Sequence, residues 1–282
     1  MVHRSLDDVP LQAADPLGSS VLPYSGRGGL VPIAVIEDLL IPSVAKVSDP
    51  CDAEPVFCDT GDRMTHLLEG PIAPVPTCVP PGKREHIGQS VKLVPLDEHH
   101  AEDLWQAAQD ADESWTYLGY GPFTSFDDFK RHIAKLAALA DQPFFAVIPT
   151  GGAAGGWLSY CDIEPHNAAI EIGSIWFAPR LQRTRAATEA VYLLLDHAFE
   201  QGFNRVAWRC NALNMPSRRA AERFGFVFEG TWRMAQIIKG RWRDTSWYSQ
   251  LVDEWPENKA AFSHWLAGTN FDESGQQRSP LR

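Results

Sequence analysis

The stretch that decides the fold is residues 171–198, which reads EIGSIWFAPRLQRTRAATEAVYLLLDHA. Residues 170–177, which include the start of this stretch, are rich in apolar and β-branched side chains, and this predicts a buried strand. Its end predicts a helix, because six apolar residues recur on one helical stripe: Ala187, Ala190, Val191, Leu194, Leu195 and Ala198. A basic loop over residues 179–187 joins the strand to the helix.

This basic loop predicts a site for an anion. The N-terminus of a helix presents free backbone N–H groups and a partial positive charge. The loop adds three full charges, on Arg180, Arg183 and Arg185. A diphosphate suits such a loop. A solvated helix start without a ligand is the alternative that the loop alone leaves open.

The flanking elements predict an α+β domain with a mainly antiparallel sheet. From Gln89 the order is strand, helix, helix, three strands, helix, strand, helix and two strands, followed by a tail helix around 256–266. Asp97, Ser125 and Asn214 are predicted N-caps, since their side chains accept hydrogen bonds from a first helical turn. The glycines of 151–156 predict the turn of a hairpin.

The first 88 residues differ from the rest. They hold twelve of the 21 prolines, and their twelve acidic and six basic residues give a net charge of −6 out of −11. We predict an irregular extension over 1–88, partly ordered or wrapping over a regular domain at 89–268, and a polar tail at 269–282.

Composition and charge exclude several classes of protein. The hydrophobic fraction of 44% and charged fraction of 22% are typical of a globular chain. A net charge of −11 argues against a nucleic-acid binder. We find neither a membrane-spanning run nor a signal peptide, and expect no membrane partner and a cytoplasmic location. The spacing of Cys51, Cys58, His66 and Cys78 matches no usual zinc pattern, so we expect no metal.

A second basic stretch runs from Arg205 to Arg243. Nine basic residues stand there against Glu222 and Glu229, a surplus of seven positive charges in an acidic protein. A charged helix face with a basic hairpin tip is one explanation. Together with the loop at 179–187, a phosphate-bearing cofactor explains both stretches better.

These residues resemble the GNAT (Gcn5-related) N-acetyltransferases, in the branch of the ribosomal-protein N-terminal acetyltransferases. Three segments carry the resemblance, in the family's order: EIGSIWF at 171–177, LQRTRAATE at 181–189 and NMPSRRAAERFGF at 214–226. The resemblance covers about residues 89–267. It implies the GNAT fold, with a mixed, mostly antiparallel central sheet, splayed strands and flanking helices.

The resemblance also implies acetyl-CoA as co-substrate. The backbone amides of the loop would hold its pyrophosphate: Gln182, Arg183, Thr184, Arg185, Ala186 and Ala187. Trp176 and Phe177 would pair with the pantetheine arm through their main chain. Asn214 would bond the pantetheine or nearby backbone, and Arg218 or Arg219 would meet the 3′-phosphate. The family's loop carries glycines that Thr184 and Ala186 replace here, which is tolerated if the loop keeps right-handed helical angles.

Transfer of an acyl group to an amine needs a base for the amine and a donor for the departing thiolate. Glu171 is the candidate base, although a structural carboxylate paired with an arginine fits equally. Ser217 is the candidate donor, although its hydroxyl could instead cap the short helix. Asp162, Glu164 and His166 are weaker candidates for binding a cationic amine.

We therefore expect direct transfer of an acetyl group to the primary amine of a small molecule or a peptide N-terminus, in a chain that could form a homodimer. The alternatives are a GNAT-like acyl-CoA-binding protein with another thioester activity, such as acyl decarboxylation, or a non-catalytic sensor.

Overall fold

The computed structural model describes residues 72–73 and 75–282. Most of the predicted extension, including Cys51, Cys58 and His66, lies outside the described residues. Within them, the helix at the centre of the quoted stretch runs over Arg185–Glu200. It buries the predicted apolar stripe, which confirms that prediction.

Five helices and eight strands make up the described region. In chain order the helices are α1 (Ala101–Ala108), α2 (Phe126–Ala138), α3 (Arg185–Glu200), α4 (Met215–Arg223) and α5 (Trp255–Leu266). The strands are β1 (His86–Ile87), β2 (Val91–Pro95), β3 (Phe144–Pro149), β4 (Gly156–Glu164), β5 (Ala169–Phe177), β6 (Arg205–Asn211), β7 (Val227–Ile238) and β8 (Arg241–Leu251).

The predicted N-caps are confirmed. Ser125 accepts a hydrogen bond from the Asp128 amide at 3.2 Å and starts α2, and Asn214 accepts one from the Ser217 amide at 3.1 Å and starts α4. Asp97 caps a 3-10 turn at Glu98–His100 that leads into α1. Two features were not predicted: this turn and the short strand β1, which is too brief to leave a periodic pattern.

The strands form one sheet in the order β1-β2-β3-β4-β5-β6-β8-β7. Every neighbouring pair is antiparallel except β5 and β6, which are parallel. The α+β class and the mostly antiparallel sheet are therefore confirmed. The parallel pair arises because α3 crosses over one face of the sheet between β5 and β6, as parallel neighbours require.

Each face of the sheet carries its own hydrophobic core. On one face, side chains such as Leu158 and Ile172 pack against α3 and α5. On the other, Trp157 and Trp176 pack against α1 and α2. Because side chains alternate between the two faces along a strand, consecutive residues of β5 point into different cores, and so do consecutive residues of β6.

β5 and β6 separate part-way along their length. They pair at three positions only, the last joining Glu171 to Ala207. Beyond it, residues 172–177 and 208–211 have no pairing with each other in the part of the chain that the structure describes. A bulge in β5 places Ser174 and Ile175 opposite Leu158, with Ser174 at φ +50°. The predicted splay is present, and Glu171 stands at its apex.

Both ends of the predicted domain make further contacts. Before Gln89, β1 pairs with β2, and the Val79 amide donates to the Gln201 carbonyl at 3.0 Å. After residue 268, the Gln277 side chain accepts from Trp265 Nε1 of α5 at 2.9 Å. The segments 75–88 and 269–282 therefore share hydrogen bonds with the rest of the described region.

Candidate functional site

The loop before α3 does not keep right-handed angles throughout. Thr184 is extended and caps the helix by accepting from the Ala187 amide at 3.1 Å. Arg183 has φ +60°, a left-handed conformation that costs an ordinary residue energy and favours glycine. The condition of right-handed helical angles is met at Ala186, inside the helix, but not at Thr184, which is extended, or at Arg183, which is left-handed.

Half of the predicted loop amides are free. The N–H groups of Gln182, Thr184 and Ala187 each have an acceptor within the loop. Those of Arg183, Arg185 and Ala186 have none among the described residues, and they stand at the start of the longest helix there. Three free donors at a helix N-terminus suit an anionic group such as a pyrophosphate.

The arginines of the loop differ in their contacts. Arg180 donates to the Ala154 carbonyl at 3.1 Å. Arg185 donates to the Leu266 carbonyl and to Gln89, and its guanidinium lies 5.0 Å from the centre of the Phe271 ring. Arg183 is exposed. Arg180 is exposed as well, and Arg183 is the arginine of this loop whose guanidinium makes no hydrogen bond or ion pair with another described residue.

Glu171 is buried at the apex of the splay, on the face that carries α1 and α2. Arg209 of β6 approaches it, with Nε 2.8 Å from Glu171 Oε2. The Nε–H is not aimed at that oxygen, which has no hydrogen-bond donor in the described part of the chain. The same guanidinium pairs with Asp162 at 2.7 Å.

Burial raises the pKa of Glu171 to about 8. Arg209 opposes this rise, and Asp162 adds to it. Burial outweighs the arginine here because the buried carboxylate loses more solvation than is returned by Arg209, whose charge it shares with Asp162. A carboxyl with a pKa near 8 is a stronger base than an ordinary glutamate, so Glu171 is suited to accept a proton from an ammonium or amine.

Ser217 lies on the opposite side of the splay. It stands in the first turn of α4, and its Oγ accepts a hydrogen bond from Trp208 Nε1 at 3.1 Å. Trp208 belongs to the core under α3. The helix is capped by Asn214 and not by Ser217, and the hydrogen-bonding contact of the Ser217 hydroxyl with Cys210 holds the pKa of that thiol below what burial alone would give.

The remaining predicted cofactor residues are placed in different ways. Trp176 buries its side chain, stacks on Trp115 at 4.5 Å and donates from Nε1 to Ser114, so only its backbone could meet a ligand. The Phe177 carbonyl accepts from the Gln182 side chain at 2.9 Å. Arg218 donates from Nε to the Tyr248 hydroxyl at 3.0 Å, whereas Arg219 is exposed. Their roles toward a cofactor stay predictions.

The weaker candidates for binding an amine do not act as a group. Asp162, at φ +42°, pairs with Arg209 beside Glu171. Glu164 accepts from the Asn167 side chain at 2.7 Å, and His166 lies in the 3-10 turn Pro165–Asn167. Of the three, Asp162 is the one that the fold brings to Glu171.

Sequence reasoning missed the polar groups around Glu171. Gln142 donates to Ser159 at 3.0 Å and to Ser174 at 2.9 Å, and Cys161 stands opposite Glu171 in the sheet. Arg209 was counted only as part of a basic stretch. One signal was available: Arg209 alternates with the buried Trp208 and Cys210, so it must face the other side of β6, where Glu171 points.

A loop closes the open end of the splay. Residues 109–125, between α1 and α2, are fixed to β5 through the stacking of Trp115 on Trp176. From there, Tyr117 donates to the Leu213 carbonyl at 3.1 Å, and Lys239 at the β7–β8 turn donates to the Trp115 carbonyl at 2.9 Å. The loop therefore links the half of the sheet that ends at β5 to the half that begins at β6.

Comparisons with known proteins agree with this geometry. Residues 90–227 match the model of the acetyltransferase (GNAT) domain. A crystal structure of a GCN5-related N-acetyltransferase from Brucella melitensis is 41% identical, with a TM-score of 0.71, over 73% of this chain and 96% of that one. The chain belongs to the GNAT acetyltransferase family, and its activity class is N-acetyltransferase.

Two further proteins extend the comparison. The putative ribosomal N-acetyltransferase YdaF of Bacillus subtilis (strain 168) is 29% identical over 184 residues, which cover 62% of this chain and 96% of YdaF. The ribosomal L7/L12 alpha-N-protein acetyltransferase RimL, solved in complex with coenzyme A, is 23% identical with a TM-score of 0.51. That match covers 61% of this chain and 99% of RimL.

Metal-binding clusters and membrane-spanning helices are both absent from the described residues. Among residues 72–73 and 75–282, no group of three or more His, Cys, Asp or Glu side chains is arranged to hold a metal ion. In the same residues, no helix is long and apolar enough to cross a membrane.

Proposed function

We propose that this chain transfers an acetyl group from acetyl-CoA directly to a primary amine, either of a small molecule or of a peptide N-terminus. The observation that carries the proposal is the placement of Glu171 and Ser217. They lie on opposite faces of the sheet, on either side of the one opening between paired strands that the described residues contain.

The residues present fit acetyl-CoA. The free amides of Arg183, Arg185 and Ala186 would hold its pyrophosphate, and the unpaired edge of β5 beyond Glu171 would accept the pantetheine arm as an added strand. Bound there, acetyl-CoA supplies an acetyl thioester to the opening. RimL, bound to coenzyme A, supports this assignment by its likeness in fold.

Glu171 takes the proton that the amine must lose. At pH values near 8 a substantial fraction of a carboxyl with a pKa of about 8 is ionised, and it then accepts a proton readily. Burial protects this carboxylate from competing water. Asp162, with half of its side chain exposed, supplies negative charge that attracts a cationic amine to the same face.

Ser217 donates its hydroxyl proton toward the leaving sulfur. The Trp208 N–H occupies one lone pair of Oγ and thereby fixes its position without using its proton. Burial raises the pKa of Cys161 to about 11 and also raises that of Cys210. Both thiols therefore stay protonated and are poor nucleophiles, which favours direct transfer over an acyl-enzyme.

A thiol-release assay tests the proposal. The protein is incubated with acetyl-CoA and a panel of small amines and short peptides with free N-termini, and products are identified by mass spectrometry. We expect thiol release that depends on an amine and an acetylated amine as product. Binding of acetyl-CoA by calorimetry without turnover on any amine would instead indicate a sensor, and absence of binding would refute the proposal entirely.

A further inference from the structure

Arg209 is the charged group most closely engaged with the proposed base, and neither the sequence motifs nor the family comparison assigns it a role. It stands two residues beyond Ala207, the partner of Glu171 at the apex of the splay. Its guanidinium contacts both carboxylates of the apex, Glu171 at 2.8 Å and Asp162 at 2.7 Å.

The position of the guanidinium is fixed from a third side. Trp247 of β8 is the residue directly opposite Arg209, and its ring centre lies 5.2 Å from the Arg209 guanidinium carbon. A cation over an indole ring gains electrostatic attraction, and a flat ring restricts how the guanidinium can rotate. With Trp247 on one side and two carboxylates on the others, Arg209 holds a single orientation.

We propose that Arg209 is a positioning residue for acetyl transfer: held by Asp162 and Trp247, it fixes the Glu171 carboxylate at the apex of the splay and favours its ionised form. The inference rests on the proposed function, since it takes Glu171 as the base. The Nε–H is not aimed at Glu171 Oε2, so that oxygen keeps its lone pairs for the proton of an incoming amine.

The other groups around Glu171 do not replace Arg209. From β4, Asp162 raises the pKa of Glu171, and Cys161 is a neutral thiol. Arg243 of β8 also lowers that pKa, but by less than Arg209 does, and it makes no ion pair with Glu171 in the described part of the chain. Removal of Arg209 therefore leaves the Glu171 and Asp162 carboxylates close together, with little positive charge to offset their repulsion.

Arg205 supplies a matched control. It lies on the same strand and the same face, four residues earlier, and it binds Glu229 through two contacts of 2.6 and 2.5 Å. The Arg205–Glu229 pair lies away from Glu171 and the apex of the splay. An effect that follows from losing any ion-paired arginine on β6 must appear in both variants, whereas an effect on Glu171 must appear only at position 209.

The first measurement needs no turnover. The protonated carboxyl band of Glu171 is followed against pH by infrared difference spectroscopy, with Glu171→Gln as the reference, in the wild-type, Arg209→Gln, Arg209→Lys and Arg205→Gln proteins. An opposite charge at this distance lowers a carboxyl pKa by about 1–3 units. We expect the midpoint to rise by about one pH unit or more in Arg209→Gln, by less in Arg209→Lys, and not at all in Arg205→Gln.

The second measurement is the pH profile of kcat/KM. In Arg209→Gln the inflection of the acidic limb should move to higher pH by the same amount. Activity then falls about tenfold at pH 7 and recovers at higher pH. An unchanged infrared midpoint, or a loss of activity equal at every pH, would overturn the inference. If Arg209→Gln does not fold, Arg209→Lys carries the same comparison.

The two proposals fail differently. Retention of full activity and of the acidic limb in Glu171→Gln would refute Glu171 as the base and Arg209 as its positioning residue. Absence of acetyl transfer by the wild-type protein would refute the proposed function, and the infrared midpoints would still decide whether Arg209 controls the ionisation of Glu171.

Discussion

Two arginines of β6 pair with carboxylates whose pKa values are shifted in opposite directions. Arg205 and Glu229 are each about one-third exposed, and the hydrogen bonds from Arg205 lower the pKa of Glu229. Arg209 lies four residues further along β6 and approaches Glu171 of β5, which is only 3% exposed and whose pKa is raised. The same kind of partner is present in both, so burial decides the direction.

Under the proposed function, this difference separates a structural pair from a functional one. An exposed pair in good geometry holds its carboxylate in the ionised, weakly basic form. A buried carboxylate with a partner shared elsewhere holds its proton up to neutral pH and can exchange it there. The sequence favoured a catalytic base and a structural carboxylate equally for Glu171. The structure shows that burial, as well as pairing, sets the pKa on which that choice depends.

The largest expected effect comes from replacing the two carboxylates in turn. Glu171→Gln should lower kcat by about 10²–10⁴, the usual contribution of a general base. Glu229→Gln, which removes the exposed partner, should leave kcat unchanged. Steady-state kinetics with saturating acetyl-CoA provide the measurement, and equal losses in the two variants would contradict the distinction.

The pH dependence should separate the same two residues. Because the base must be deprotonated to act, kcat/KM should rise with pH and level off above an inflection near pH 8, the pKa of Glu171. Below it, activity should fall about tenfold per pH unit. Glu229→Gln should keep this inflection, and Glu171→Gln should lose it.

An acceptor amine also titrates, so the profile is measured with two acceptors whose amine pKa values differ by about two units. An inflection that belongs to the enzyme has the same pH with both acceptors, whereas one that belongs to the acceptor shifts with its amine pKa. An inflection that moves fully with the acceptor would show that no enzyme group of pKa near 8 limits the reaction.

Ser217→Ala should lower kcat by about tenfold, less than Glu171→Gln, because a thiolate leaves more easily than an alkoxide and needs less help from a donor. Trp208→Phe keeps an aromatic side chain, although a smaller one, and removes the N–H that fixes Ser217, so it should cause a smaller loss. A loss in Trp208→Phe that exceeds the loss in Ser217→Ala would indicate that Trp208 acts through packing.

The smallest effects should be on stability. Arg205→Gln removes an exposed pair and should cost less than about 1 kcal/mol of unfolding free energy. Arg209→Gln leaves a buried carboxyl beside Asp162 and should cost more at pH 9 than at pH 5, because Glu171 is ionised only above its raised pKa. Urea denaturation at the two pH values provides the comparison, and a pH-independent difference would contradict it.

Local patterns in the sequence predicted much of the fold. The stripe from Ala187 to Ala198 predicted α3, and Ser125 and Asn214 marked two helix starts correctly. These features depend on residues near each other in the chain. The left-handed angle of Arg183 was not predicted, because nothing in the residue type indicates it and the turn that requires it is set by the packing of α3.

The site was predictable only in part for the same reason. Glu171 and Ser217 could be named because motifs contain them. Arg209 is 38 positions from Glu171 and meets it through the parallel pairing of β5 with β6, a contact that leaves no periodic signal in either strand. Gln142 likewise reaches Ser174 from the segment between α2 and β3.

The links made by the loop at 109–125 have a consequence for the size of the group that can be transferred. Between β5 and β6 the sheet is joined by three residue pairs, so the spacing of the open ends is set by the hydrogen bonds of Tyr117 and Lys239 across it. Moving the open ends apart would break or redirect both bonds. We therefore expect the tolerance of the enzyme for acyl groups longer than acetyl to depend on Tyr117 and Lys239, neither of which contacts Glu171 among the described residues.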